Sequence, residues 1–257
     1  MLLDEYLSIN LFHLLLVFSR LGTVFMFIPG ISAPYVSVIS RVGLAMAISA
    51  IVVPMLSPQL PALPATGGEL FLLIAMEVTM GMFLGALIQA WMSALHFAGT
   101  VISFNSGMAN AMVFDPITAQ QGAMVTGFLG NIAVLLIFAT DMHHLMLRAI
   151  LESYTLVLPG EAPPVGDFSK LLTEVVGQAC LIGVQLSAPF IAFTMVFYTG
   201  LGLLNKLSPQ MNVFFVGLPI QLLISLALLA ATLPVIMMWF LRFLEDGLQG
   251  ILTSGFG

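Results

Sequence analysis

The sequence predicts an all-α integral membrane protein with kinked and broken helices, and three observations carry that prediction. Hydrophobic residues make up 60% of the 257 and charged residues only 7%, against about a quarter charged in a soluble domain. Mean hydropathy is +1.12, so there is too little charge to cover a water-facing surface. The apolar residues fall in runs long enough for a bilayer core of about 30 Å. Those runs are broken by prolines and by one polar stretch, residues 104–121, FNSGMANAMVFDPITAQQ.

The first apolar run covers residues 8–31 and carries Arg20 near its centre. A charge at that depth faces protein or water, seldom lipid. Pro29-Gly30 and Pro34 end the run. Asp4 and Glu5 stand where a signal peptide would be basic, so no removable leader is expected. A second run, 42–56, begins after Ser40-Arg41 and is short for a span. Pro54, Pro58, Pro61, Pro64 and Gly67-Gly68 then predict a stiff, extended loop.

Glu77 is embedded in the next apolar segment, and residues 78–114 hold no formal charge. As one helix they would measure about 55 Å, so the segment must bend, break or leave the bilayer. Gly81 and Gly85 share a helix face and permit close backbone approach. Residues 99–107 mark where this helix gives way. A helix over 122–140 follows. Asp141 is placed to cap another from Met142 to about Val157, on which Arg148 and Glu152 share a side. A Pro-Gly loop at 159–166, a helix entry at 167–174 and an uncharged run at 175–205 come next. Pro189 is expected to kink that run. The last run, 211–241, is interrupted by Pro219 and Pro234, with Arg242, Glu245 and Asp246 expected at an interface.

The polar stretch is the candidate functional segment. Asp115-Pro116 argues against a helix through it. Non-helical backbone at membrane depth survives only inside protein or along a wet cavity, so residues 104–121 are expected in, or closing, a passage through an assembly. Met108 and Met112, at i and i+4, could form a flexible gasket. The gate residues read from the stretch are Phe104, Asn105, Ser106, Gly107, Met108, Met112, Phe114, Asp115, Pro116, Gln120 and Gln121.

Other chemistry is sparse. Arg20 and Glu77 lack the series of titratable groups that a proton relay needs, so a structural partnership is expected for each. Asp141-Met142-His143-His144 looks like a metal motif, but adjacent histidines do not share a helix face and no second cluster stands at ligand spacing. Capping and packing are expected there, and no metal. His13 and His96 read as hydrogen-bonded or interfacial groups. No G-x-S-x-G or H-E-x-x-H occurs, and no phosphate loop, so neither catalysis nor a cofactor is expected. The net charge of −6 without a basic patch disfavours nucleic acid. Cys180 is the only cysteine, which excludes an internal disulfide. Six Lys and Arg scattered along the chain leave membrane orientation open.

The string Asn205-Lys206-Leu207-Ser208-Pro209-Gln210-Met211-Asn212-Val213-Phe214-Phe215-Val216-Gly217-Leu218-Pro219 resembles the signature of the FliR family, the flagellar type III export-gate proteins called SctT in injectisomes. Val113-Phe114-Asp115-Pro116 and the early pattern of Arg20, Gly22, Pro29, Gly30 and Ile31 are also similar to that family. The resemblance spans the whole chain, so residues 1–257 are expected as one FliR-type domain. It implies helical hairpins, a FliP-like part followed by a FliQ-like part, and a single copy assembled with five FliP and four FliQ subunits at the core of the flagellar basal body in the bacterial inner membrane. It also implies that unfolded flagellar substrates pass through the complex, and that the central loop plugs the closed channel. Asn205, Lys206, Pro209, Gln210, Asn212, Phe214, Phe215, Gly217 and Pro219 would then shape the entrance near partner subunits, FlhB included. Two other readings stay open: a secondary transporter with discontinuous helices, and a membrane scaffold without a gate.

Overall fold

Proline sets the first helix boundary. In the computed structural model, which describes residues 2–107, 122–207 and 213–254, α1 runs Leu2–Phe25. It ends four residues before Pro29, whose ring would clash with the Phe25 carbonyl and which has no N–H to bond it. The expected run to residue 31 is therefore cut short, and turns occupy 26–36. The α2 helix, Val38–Leu56, starts earlier than expected because Ser37 caps it: the Ser40 amide donates to Ser37 Oγ at 3.1 Å. Arg41 ties the preceding turn, donating from Nη2 to the carbonyls of Ala33 and Val36.

The Pro-rich loop is shorter than the prolines predict. Pro54 lies within α2 and Pro58 in a 3-10 turn, Ser57–Gln59. Gly67 and Gly68, expected in the loop, begin α3, Gly67–Asn105. A capping box overrides the glycines: the Glu69 amide donates to Thr66 Oγ1 at 3.3 Å, while Glu69 Oε2 accepts from the amides of Ala65 and Thr66. At 39 residues, α3 is about 58 Å long, so one unbroken helix reaches well beyond a bilayer core.

Then come α4, Gly122–Ala139, and α5, Met142–Leu156, a bent pair broken at Thr140 and Asp141. Last are α6, Val165–Leu207, and α7, Val213–Ser254. Pro189 lies inside α6, and Pro219 and Pro234 inside α7. The α7 helix also continues through Arg242, Glu245 and Asp246, where the sequence predicts the end of the apolar run. Each internal proline deletes one backbone bond, and the helices continue on both sides of it. All regular structure among the described residues is helical. Among the described residues, five helices are long and apolar enough to cross a membrane, or six with the bent pair taken as one span. This is an all-α membrane protein.

The chain divides into two compact units. The first comprises Met1–Trp91, Phe138–Val175 and Asp246–Gly257; the second comprises Met92–Ile137 and Val176–Glu245. In the first unit α3 packs through glycines against α1 and the turn that follows it. A Cβ on Gly81 would stand 2.6 Å from the Arg20 carbonyl oxygen, and one on Gly85 would enter the Phe27 ring. Gln89 Nε2 donates to the Phe27 carbonyl at 2.6 Å beside that contact, and Phe83 stacks on Phe168 at 3.7 Å. Because the Gly81 obstacle is backbone, it cannot rotate away. Gly81→Val is expected to destabilise the unit by about 1–3 kcal/mol or more, seen as a lower unfolding temperature of the detergent-extracted chain; an unchanged temperature would mean that the helices slide apart freely.

Candidate functional site

Of the predicted gate residues, the structure describes Phe104, Asn105, Ser106 and Gly107. Met108, Met112, Phe114, Asp115, Pro116, Gln120 and Gln121 lie outside the described residues. What can be built is the root of the segment, in the second unit. The polar side chains at the end of α3 first bond back onto their own helix. Ser103 Oγ donates to the Gly99 carbonyl at 2.8 Å, Asn105 Nδ2 to the Val101 carbonyl at 2.8 Å, and Ser106 Oγ to the Ser103 carbonyl at 3.0 Å. These bonds compete with continued helix. Gly107 then takes φ +78, the left-handed conformation that commonly ends helices.

Two other helices hold this end. The last carbonyls of a helix have no intrahelical donor. The Asn105 carbonyl oxygen instead accepts from Thr194 Oγ1 of α6 and Gln221 Nε2 of α7, each at 2.9 Å. Gln221 is fully buried, and a Cβ on Gly107 would stand 3.3 Å from its amide. The Gln221 Oε1 and the buried Ser225 Oγ, one turn further along α7, have no hydrogen-bond partner among the described residues. Phe104 is exposed. Gly107→Ala is expected to cost about 1–2 kcal/mol from the left-handed backbone alone, read as a lower unfolding midpoint; no change would mean that this turn is not held.

Thr194 and Gln221 were not among the residues the sequence singled out. A signal existed, since Gln221 and Ser225 stand at i and i+4 in an otherwise apolar stretch of α7 and so share one face. Elsewhere in the second unit, a cavity of about 220 Å³ lies against Pro189, Gln185, Thr232 and Trp239. Its lining among the described residues is uncharged.

In the first unit Arg20 and Glu77 meet face to face. Arg20 Nε donates to Glu77 Oε2 at 2.7 Å and Nη2 to Oε1 at 3.1 Å. Arg20 Nη1 donates to the Ser153 carbonyl and hydroxyl at 3.1 and 3.3 Å, and Nη2 to the Val157 carbonyl at 3.2 Å. The five bonds match the five N–H donors of a guanidinium. The cation also sits at the C-terminal end of α5, where it favours the helix dipole. It stacks 4.1 Å above the Tyr154 ring, whose hydroxyl donates to the Val17 carbonyl at 3.2 Å. Both charged side chains are shut off from solvent. The arrangement joins α1, α3 and α5.

Of the motif residues, Asn205 and Lys206 are exposed at the end of α6, and Pro209, Gln210 and Asn212 lie outside the described residues. Phe214 and Phe215 fall in the first turn of α7, Gly217 packs against Leu201, and Pro219 is exposed. His13 Nε2 lies 3.1 Å from the Pro61 carbonyl oxygen, and His96 is exposed. Asp141 stands at the cap position of α5 but makes no side-chain cap bond, because its φ of 58 is left-handed rather than extended and turns the carboxylate away from the helix amides. It meets His144 instead.

Comparison with known proteins identifies the family. Residues 11–247 match the family described as bacterial export proteins, family 1. The chain is 33% identical to the flagellar biosynthetic protein FliR of Caulobacter vibrioides over 90% of its length and 92% of that protein. It is 31% identical to FliR of Bacillus subtilis over 86% of each, and 26% identical to the Yop proteins translocation protein T of Yersinia pestis over 83% of each. The chain belongs to the FliR/SctT family of bacterial type III export proteins.

Proposed function

We propose that the chain is a core subunit of the flagellar type III export gate in the bacterial inner membrane, at the core of the flagellar basal body. With FliP and FliQ it forms the channel through which unfolded flagellar substrates cross, and residues 104–121 plug that channel when it is closed. The near full-length likeness to flagellar FliR proteins is the observation that carries this reading. Two physical features support it. A polar, proline-broken stretch in so apolar a chain needs protein or water around it, and its root is gripped by α6 and α7. Both of those helices also leave much of their length uncovered: in an 18-residue apolar window of each, only 28% is buried, which suits further subunits packed around them. The 205–219 motif then faces partner subunits, FlhB among them. No nucleotide site is expected from the sequence, so the energy for transport comes from other components.

Deleting residues 108–121 tests the proposal. The complex should still assemble and should pass small ions across the membrane at rest, measured as dye or ion leak in cells and in proteoliposomes. A complex that assembles and stays tight would overturn the plug and favour a scaffold. Saturable uptake of one small solute by the intact chain would favour a transporter.

A further inference from the structure

Among the described residues one group of chelating side chains converges, and it belongs to neither the α3 root nor the Arg20 cluster. Adjacent helical residues ordinarily diverge, yet ligand atoms of Asp141, His143 and His144 all lie within 4.8 Å of one another. The break between α4 and α5 makes this possible. Asp141 adopts φ 58, and the His144 amide bonds back to its carbonyl at 3.0 Å, which closes a turn with the carboxylate and the imidazole on one side. His144 Nδ1 stands 3.6 Å from Asp141 Oδ1. That is too long for a hydrogen bond. It is close to the separation of about 3.4 Å that two ligands keep when each binds a tetrahedral ion at about 2.0–2.2 Å. The two imidazole rings lie 4.0 Å apart between centroids.

His143 adds an independent observation. Its Nδ1 is buried and has no hydrogen-bond partner among the described residues, and its ring is steadied by stacking on Phe138 at 4.9 Å. Asp141 and His144 are well exposed, so an ion has a way in. We propose that Asp141, His143 and His144 bind a divalent transition metal of the zinc class. Two imidazoles and one carboxylate suit such ions and not magnesium or calcium. Three protein ligands leave a coordination position to water. The positive end of α5 opposes a cation there, so the site binds moderately tightly. A bound ion would fix the break in its left-handed turn.

The test is a Co²⁺ titration of the full chain, purified without a histidine tag together with whatever subunits accompany it, followed by visible absorption and displaced by Zn²⁺. One tetrahedral Co²⁺ per chain is expected, lost on addition of Zn²⁺. His144→Gln, His143→Gln and Asp141→Asn should each weaken binding tenfold or more, while His13→Gln and His96→Gln leave it unchanged. His144 is exposed at the start of α5, so His144→Gln keeps the fold and stays informative even if Asp141→Asn reduces folding. Absence of a tetrahedral band at millimolar Co²⁺, or equal affinity in His144→Gln, would overturn the assignment.

Discussion

Glu77→Ala is expected to reduce accumulation of the folded chain sharply. The substitution removes two of the five bonds that hold the Arg20 guanidinium and leaves a positive charge shut away from solvent. Breaking a buried pair from one side costs about 3–5 kcal/mol, against a total stability of about 5–15 kcal/mol for an ordinary domain. Replacing both charges by apolar groups of similar volume avoids the stranded cation. The double variant Arg20→Met/Glu77→Leu should therefore recover much of the accumulation that Glu77→Ala loses. Glu77→Gln, which keeps an acceptor but no charge, should fall between. Detergent-extracted chain measured by size-exclusion chromatography and thermal unfolding distinguishes these cases. Wild-type levels of Glu77→Ala would mean that the ion pair holds nothing together.

The second large effect is a coupled one at the root of the central stretch. Thr194→Val alone leaves the Asn105 carbonyl its bond from Gln221. Gln221→Leu alone leaves the bond from Thr194 and also removes the unpartnered Oε1, so part of its cost is offset. Only the double variant strips both donors from a carbonyl at a helix end. A buried acceptor without a partner costs about 1–3 kcal/mol, and the half-buried Asn105 falls at the low end of that range. The double should therefore exceed the sum of the singles by about 1 kcal/mol or more, the non-additivity expected of residues sharing one partner. On the proposed function it should also raise resting ion leak, since the start of the plug loses its grip. A double-mutant cycle on unfolding midpoints, with leak measured in parallel, checks both. Strict additivity would show that Thr194 and Gln221 do not share the Asn105 carbonyl.

Much of the architecture was legible because membrane solvent leaves few options. Apolar run length gave the helices, and the small-residue pair Gly81 and Gly85 marked the close approach to α1. The boundaries were less legible, since proline and glycine count locally while helix ends depend on what caps them. Thr66 and Glu69 outweighed Gly67-Gly68, and the long flanks of α7 carried it through Pro219 and Pro234. Arg20 and Glu77 stood out as charges at depth. Their company of Ser153, Tyr154 and the Val157 carbonyl did not, because backbone acceptors and hydroxyls leave no mark on hydropathy. Thr194 and Gln221 were hidden in the same way. The convergence at Asp141, His143 and His144 escaped the spacing rule because that rule assumes helical φ, and Asp141 departs from it.

The central claim is that polar backbone in this greasy chain is enclosed by other subunits that build a channel. The mass of the complex extracted natively from the membrane tests that most directly. One copy of this chain among several other small hydrophobic subunits is the predicted result; a lone monomer or a symmetric homodimer would contradict it.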